Sequence, residues 1–270
     1  MNKLSKMAMA LSAAAAIALP GMAQAITISG ITFEPGATLV IGTIYEGRVD
    51  GTDPYAEAVT AAGQELGGVG IVDAVKNAAG VTIWANGDNN TELTFQFGGF
   101  ISEAPVNFGG PIGLNFSGGF ANFFAGTAAD RDFVTSPIAT MLASASNGTD
   151  WLNLVGGSTG VNCALAGVDC TLQSFILDGT LQAIGSGVGN GFLNVTAGAG
   201  AANTFFDTNS AGGGNDFSLG SSFNSTLATG AMFASGSMDL RATAIPEPST
   251  LALLGLGLLG FGMNVRRRVK

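Results

Sequence analysis

Glycine is the residue that most restricts how this chain can fold. Of the 42 glycines, 37 lie between residues 26 and 244, which is about one in every six residues of that segment. A glycine inside a helix costs about 1 kcal/mol relative to alanine, so such a segment sustains few long helices. Glycine is common, in contrast, in turns and where strands approach closely. The composition therefore favours short strands joined by turns.

Several short segments alternate apolar and polar residues, which is the period of a strand with one buried face. The clearest examples are 26–33 and 91–97. Further strands are predicted at 38–45, 70–75, 81–84, 113–124, 172–177, 191–196, 217–223 and 231–238. We therefore predict an all-β, glycine-rich domain over 26–244 with a β-sandwich or jelly-roll-like architecture. Two other stretches, 54–66 and 136–146, are compatible with short helices.

The composition excludes several classes of function. The chain contains no histidine, which excludes Ser-His-Asp and Cys-His catalysis and His-ligated metal sites. Its two cysteines cannot hold an iron–sulfur cluster or a four-cysteine zinc site. The net charge is −9 overall, and residues 26–244 carry 18 acidic against four basic residues, a net charge of −14. We therefore expect no nucleic-acid partner, and contact with acidic polysaccharide only through bridging cations.

The first 25 residues have the three parts of a secretory signal peptide. Lys3 and Lys6 precede an apolar run at 7–19, and Ala23-Gln24-Ala25 provides a small-x-small cleavage site. The run is shorter than the roughly 20 apolar residues that a stable membrane span needs. We expect residues 1–25 to form a signal helix that is removed on export.

The last 26 residues, 245–270, combine three features in order. They are the motif Pro246-Glu247-Pro248, the apolar run 251–265 and a basic tail at 266–270 with Arg266, Arg267, Arg268 and Lys270. As a helix the run would be about 22 Å long, which is shorter than the roughly 30 Å hydrocarbon core of a bilayer. The pattern predicts a short membrane-spanning helix whose basic cluster stops transfer and stays on the cytoplasmic side.

These three features together resemble the PEP-CTERM sorting signal of Gram-negative bacteria. The resemblance covers residues 245–270 alone. It implies that exosortase, a membrane enzyme, recognises Pro246, Glu247 and Pro248 and cleaves near them. It also implies an inner-membrane-anchored intermediate, followed by the cell surface or extracellular matrix. The resemblance further implies that the protein associates with exopolysaccharide, biofilm or floc.

Cys163 and Cys170 are separated by six residues in a segment rich in glycine and alanine. Because an exported protein enters an oxidising compartment, we predict a disulfide between them. The spacing differs from Cys-x-x-Cys, so its role would be to hold one loop.

Oxygen-bearing side chains alternate along residues 86–92. Asp88, Asn90 and Glu92 are weak candidates for Ca²⁺, which prefers such ligands. The segment does not follow the EF-hand pattern, and Asn and Asp are also ordinary turn residues. We predict no cofactor and no metal site, with Ca²⁺ at these side chains as the alternative.

A carboxylate pair is the one catalytic arrangement that the composition leaves open, because glycoside hydrolases need only two acids at the right separation. Asp130, Asp132, Glu34, Glu46 and Glu103 could supply them, but nothing in the sequence brings two together. We therefore expect an exported structural or adhesive protein rather than an enzyme. The alternatives are a secreted glycan-active hydrolase and a carbohydrate- or Ca²⁺-binding module.

Overall fold

The computed structural model describes residues 25–34, 36–127, 133, 137–163, 167–198, 200–209, 211–226 and 231–242. The predicted signal helix, apart from Ala25, and the whole predicted sorting segment at 245–270, with its membrane helix at 251–265, lie outside these residues. None of the helices in the described ranges is long and apolar enough to cross a membrane.

Strands make up most of the described chain. In chain order they are β1 (Ile26–Ile28), β2 (Ile31–Phe33), β3 (Thr38–Arg48), β4 (Glu65–Ile71), β5 (Ala74–Lys76), β6 (Thr82–Ala85), β7 (Glu92–Ser102), β8 (Val106–Asn107), β9 (Ile112–Gly126), β10 (Thr149–Gly156), β11 (Asn162–Cys163), β12 (Val168–Asp169), β13 (Leu172–Thr180), β14 (Ala183–Val195), β15 (Phe217–Ser225) and β16 (Ala234–Ala242). Within the described ranges, the helices are α1 (Ile138–Ala145) and α2 (Asn203–Phe206), with 3₁₀ turns at Asp88–Asn90 and Gly212–Gly214.

Eight strands form a closed antiparallel barrel. Around the wall the order is β3, β4, β7, β9, β10, β14, β15 and β16, and the pairing of β16 with β3 closes the ring. Strand β13 also lies between β9 and β14, where it pairs with the parts of both strands that β10 does not reach. Together, β10 and β13 thus fill one position of the wall.

The all-β prediction is confirmed, but the predicted sandwich or jelly-roll architecture is wrong. In a sandwich, two separate sheets pack face to face. Here residues Thr38–Glu46 of β3 pair with Ala234–Arg241 of β16, so the two ends of a single sheet join. Closure removes the open edges that a sandwich keeps.

Several element boundaries differ from the sequence predictions. Segment 26–33 forms two strands, because Ser29 and Gly30 have φ angles of 51° and 82° and reverse the chain between β1 and β2. The stretch 54–66 is a series of turns that leads into β4, and is not helical. The helix expected within 136–146 is present as α1, whereas β10 was not predicted.

Large apolar side chains fill the barrel. The largest fully buried ones on the wall strands include Phe95, Phe116, Phe123, Trp151 and Phe217. The rings of Phe95 and Phe123 stack with centroids 5.0 Å apart. An eight-stranded barrel is just wide enough for its own side chains to fill it, so this interior is a core and not a channel.

A second aromatic group attaches the β1–β2 hairpin and α2 to the barrel. The Phe206 ring lies 4.7 Å from Phe33, 5.8 Å from Trp151 and 5.3 Å from Phe217, measured between centroids. The indole nitrogen of Trp151 donates a hydrogen bond to the carbonyl of Ile28 at 3.2 Å. These contacts bury Phe33 and Phe206, whereas Phe205 of α2 stays exposed.

Replacing Phe123 with alanine should lower the free energy of unfolding by about 3–5 kcal/mol, because the substitution opens a cavity in a filled core. Phe108→Ala is the matched control, since Phe108 is exposed, and it should cost less than about 1 kcal/mol. Urea denaturation of the exported protein measures both. Equal effects of the two substitutions would contradict a core-filled barrel.

Candidate functional site

Cross-strand register places a row of apolar residues on the outer face of the wall. Val188 on β14 pairs with Phe175 on β13, Phe175 pairs with Gly113 on β9, and Gly113 pairs with Val106 on β8. Directly opposed residues of antiparallel strands project to the same face. Because Leu114, the chain neighbour of Gly113, is buried inside the barrel, this row faces outward.

The ring of Phe108 lies over Gly113 in this row. A Cβ atom at Gly113 would lie 2.8 Å from Cε2 of Phe108, so the ring position requires glycine beneath it. The Phe108 and Phe175 rings are 6.3 Å apart between centroids. The exposed fractions are 62% for Phe108, 48% for Val106 and 39% for Val188. We call Val106, Phe108, Phe175 and Val188 the apolar row; exposed apolar groups of this kind mark interaction surfaces.

A second row, of amide side chains, runs beside the first. Gln173 on β13 pairs with Asn190 on β14 and with Asn115 on β9. Each residue lies two positions along its strand from a member of the first row, so it projects to the same face about 7 Å away. Within the described part of the chain, none of the three amide side chains hydrogen-bonds to another residue. We call Asn115, Gln173 and Asn190 the amide row.

Small polar residues continue the wall on β15 and β16, where Val188 of the apolar row pairs with Ser222 and Ser222 pairs with Ser237. Two adjoining shallow depressions, of about 570 and 550 Å³, share Gly42, Ser222 and Ser237. The hydroxyl oxygens of Ser222 and Ser237 are 3.0 Å apart and hydrogen-bonded. At one side, a guanidinium nitrogen of Arg241 lies 3.9 Å from a carboxylate oxygen of Asp239. We call this region the serine depression.

Strand β3 places the carboxyl group of Glu46 in the barrel interior, where Glu46 pairs with the buried Ala234. The group lines a cavity of about 40 Å³, which is room for two or three water molecules. The remaining lining residues are apolar, apart from Ser174, and Glu46 is the one ionisable side chain among them. Burial raises the pKa of the Glu46 carboxyl to about 7, because an apolar cavity disfavours its charged form.

The carboxylates considered for hydrolysis are not paired at this cavity. Glu46 lines it without a second acid. Glu34 follows β2 and Glu103 follows β7, both outside the lining of this cavity. Asp130 and Asp132 lie outside the described residues.

The residues considered for Ca²⁺ lie at a turn and at the start of a strand. Asp88 and Asn90 belong to the 3₁₀ turn, and the buried Glu92 begins β7. A carboxylate oxygen of Asp88 accepts a hydrogen bond from the backbone N–H of Ala85 at 2.9 Å, so Asp88 stabilises the turn. In the described ranges, no three Asp, Glu, His or Cys side chains are grouped so as to hold a metal ion.

The predicted disulfide is confirmed. Cys163 and Cys170 are bonded and buried, and they link β11 to the end of β12. Their loop is fixed at its base by the buried Asn215, whose side-chain oxygen accepts from the N–H of Ser158 at 3.0 Å. The amide of Asn215 donates to the Ser158 carbonyl at 3.0 Å. The disulfide therefore completes a loop that is already held to the turn before β15.

Sequence reasoning did not single out Asp216, which organises the neighbouring loop. Its buried carboxylate accepts hydrogen bonds from the backbone N–H groups of Val195 at 2.8 Å, Thr208 at 2.6 Å and Asn209 at 2.5 Å. A carboxylate with three N–H donors is well compensated for burial. The Asn215-Asp216 pair before a strand is the sequence signal for such a loop anchor.

Sequence comparison agrees with the resemblance at the C-terminus. Residues 244–268 match the family model of the PEP-CTERM protein-sorting motif. The motif implies an exported protein that is processed by exosortase. No curated protein and no solved structure matches the chain significantly.

The stability of the barrel should depend on pH through Glu46. Its folded-state pKa is raised from 4.5 to about 7, so the folded state binds more protons between these values, and stability falls as pH rises through about 7. Glu46→Gln should therefore match the wild type near pH 4 and exceed its free energy of unfolding at pH 8 by about 1–3 kcal/mol.

Urea titrations across this pH range measure the difference between Glu46→Gln and the wild type. Ser174→Ala is the control, because Ser174 lines the same cavity and has no group that ionises in this range. A difference for Glu46→Gln that is constant with pH would contradict the burial of its carboxyl group.

Removing the disulfide with Cys163→Ser and Cys170→Ser together should lower the free energy of unfolding by about 2–3 kcal/mol, because the unfolded chain regains loop entropy. Chemical denaturation of the two proteins measures the loss. A thiol reductant should destabilise the wild type similarly and leave the double variant unchanged. The prediction fails if oxidised wild type and double variant unfold at the same denaturant concentration.

Proposed function

We propose that this chain is an exported protein that exosortase sorts and that then serves a structural or adhesive role in extracellular polysaccharide, as in a biofilm or floc. The PEP-CTERM motif at 244–268 is the observation that carries the proposal. The motif makes the chain a substrate of another enzyme, so exosortase is its first partner.

Different parts of the sorting segment serve recognition by exosortase, anchoring in the membrane and orientation across it. Pro246 and Pro248 restrict the residues before them to extended conformations, which suits capture of the chain in an enzyme cleft. Glu247 between them adds a charged recognition group. The run 251–265 anchors the chain in the inner membrane, and the basic tail at 266–270 holds its end on the cytoplasmic side. Cleavage near the motif then releases or transfers the domain.

The barrel supports a structural or adhesive role better than a catalytic one. Its interior is filled by its own side chains, so partners meet the outer wall. The cavity at Glu46 has about 40 Å³, which is too small for a sugar substrate. The acidic charge of the exported segment favours solubility in the matrix. We therefore propose a non-catalytic domain.

Substitution of both motif prolines, Pro246→Ala and Pro248→Ala, should block processing, because the segment loses its fixed extended form. The variant should keep its C-terminal residues and remain with the membrane fraction, whereas the wild type is shortened and found outside the cell. Intact mass and fractionation measure both. Pro54→Ala is the matched control, since Pro54 is exposed in a turn of the barrel domain.

Cells lacking exosortase provide the second arm of this experiment. They should accumulate wild-type chain with the same mass and location as the double variant. Identical mass and location in the presence and absence of exosortase would overturn the sorting proposal.

A separate assay tests the non-catalytic proposal. If the exported protein degrades a glycan and Glu46→Gln abolishes this activity, the non-catalytic proposal is overturned in favour of a hydrolase.

A further inference from the structure

The apolar row and the amide row form one uncharged face on an acidic domain. Residues 26–244 carry a net charge of −14, yet neither row contains an ionisable side chain. The amide row crosses β9, β13 and β14 in register, and Phe175 and Val188 lie on β13 and β14, so the positions of these residues are fixed by backbone hydrogen bonds between strands. Phe108 follows β8 in a turn that the hydrogen bond from its N–H to the carbonyl of Pro111 closes. A face built on strands presents its side chains at defined spacings.

The same register continues the apolar row into the serine depression. Val188 on β14 pairs with Ser222 on β15, and Ser222 pairs with Ser237 on β16. The outer wall therefore offers aromatic rings, then an aliphatic side chain, then hydroxyl groups along one line. Such a line crosses the strands and is long enough for a polymer chain to lie along it.

The chemistry of the face fits sugar rings. A sugar has apolar C–H faces, which pack against aromatic rings such as those of Phe108 and Phe175. It also has hydroxyl edges that both donate and accept hydrogen bonds, which is what an amide side chain does. The Cβ atoms of neighbouring residues in the amide row are about 5 Å apart, a spacing comparable to the length of one sugar residue.

Other partners fit this face less well. An apolar protein or lipid surface would bury the amide row without hydrogen bonds, at a cost of about 1–3 kcal/mol for each polar group. A second copy of the chain would bring another net charge of −14, and an acidic polysaccharide would also be repelled. A neutral polysaccharide satisfies the amides and introduces no charge.

We propose that the apolar row and the amide row are the contact face for a neutral polysaccharide that continues across the serine depression. The proposal rests on the extracellular polysaccharide role proposed above, and it names the residues and the class of glycan. Phe108 and Phe175 stack on sugar rings, and Gln173 and Asn190 bind their hydroxyl groups.

The test uses the processed protein purified from the culture medium. Insoluble cellulose, curdlan and starch are the neutral probes, with alginate as the acidic probe. The wild type should be retained by at least one neutral probe with little dependence on salt, and not by alginate. Phe108→Ala with Phe175→Ala, and Gln173→Ala with Asn190→Ala, should each weaken retention at least about tenfold.

Two matched controls lie outside both rows and outside the serine depression. Phe120→Ala removes another exposed ring on β9, and Gln182→Ala removes another exposed amide in the turn between β13 and β14, so both should bind like the wild type. Circular dichroism and the urea midpoint verify that every variant folds. Loss of binding in the controls equal to that in the row variants, or no retention of folded wild type by any neutral probe, would overturn the proposed face.

The sorting assay separates this proposal from the one on which it rests. Row variants should be exported and shortened by exosortase as the wild type is, because the motif is unchanged. Normal processing without neutral-glycan binding rejects the face and leaves the sorting proposal standing. Glycan binding by a chain whose mass does not depend on exosortase rejects the sorting proposal and supports the face. Salt-sensitive retention on alginate alone would indicate cation-bridged contact and would overturn the neutral-glycan assignment.

Discussion

The hydrogen bonds between β3 and β16 are the interaction on which the rest of the structure depends. They join residues near the start of the described chain to residues near its end, from the pair Thr38–Arg241 to the pair Glu46–Ala234. Without them the sheet would have two open edges, and its concave face would be exposed to water. Closure converts that face into a core, and it explains how strands with many glycines bury large aromatic side chains.

Closure also accounts for where the glycines of the wall lie. At Gly68 on β4, a Cβ atom would lie 2.0 Å from the carbonyl oxygen of Tyr45 on β3, so only glycine permits this approach of the two strands. On the outer face of the wall, the absence of a side chain at Gly113 likewise makes room for the ring of Phe108. The same residue type thus allows a tightly curved wall and makes room for an aromatic ring on its surface.

A filled interior determines where chemistry can occur. Glu46 lines a cavity of about 40 Å³, and the raised pKa of its carboxyl group makes it a source of pH-dependent stability. The side chains of Asn215 and Asp216 accept hydrogen bonds from backbone N–H groups of the loops near the disulfide, so they hold these loops in place. The side chains of the amide row, in contrast, make no hydrogen bonds to other described residues, so they are available to a partner.

The sequence by itself determined the sorting motif, the disulfide between Cys163 and Cys170 and the β class, because each follows from local order, spacing or composition. Only the tertiary structure decided between barrel and sandwich, since that choice depends on pairing residues about 200 positions apart in the chain. The tertiary structure also determined which residues form the two outer rows. The sequence did not show that Gln173 and Phe175 face outward, because apolar and polar residues do not alternate cleanly in the run 172–177. Their alignment with β9 and β14 exists only once strand register is set.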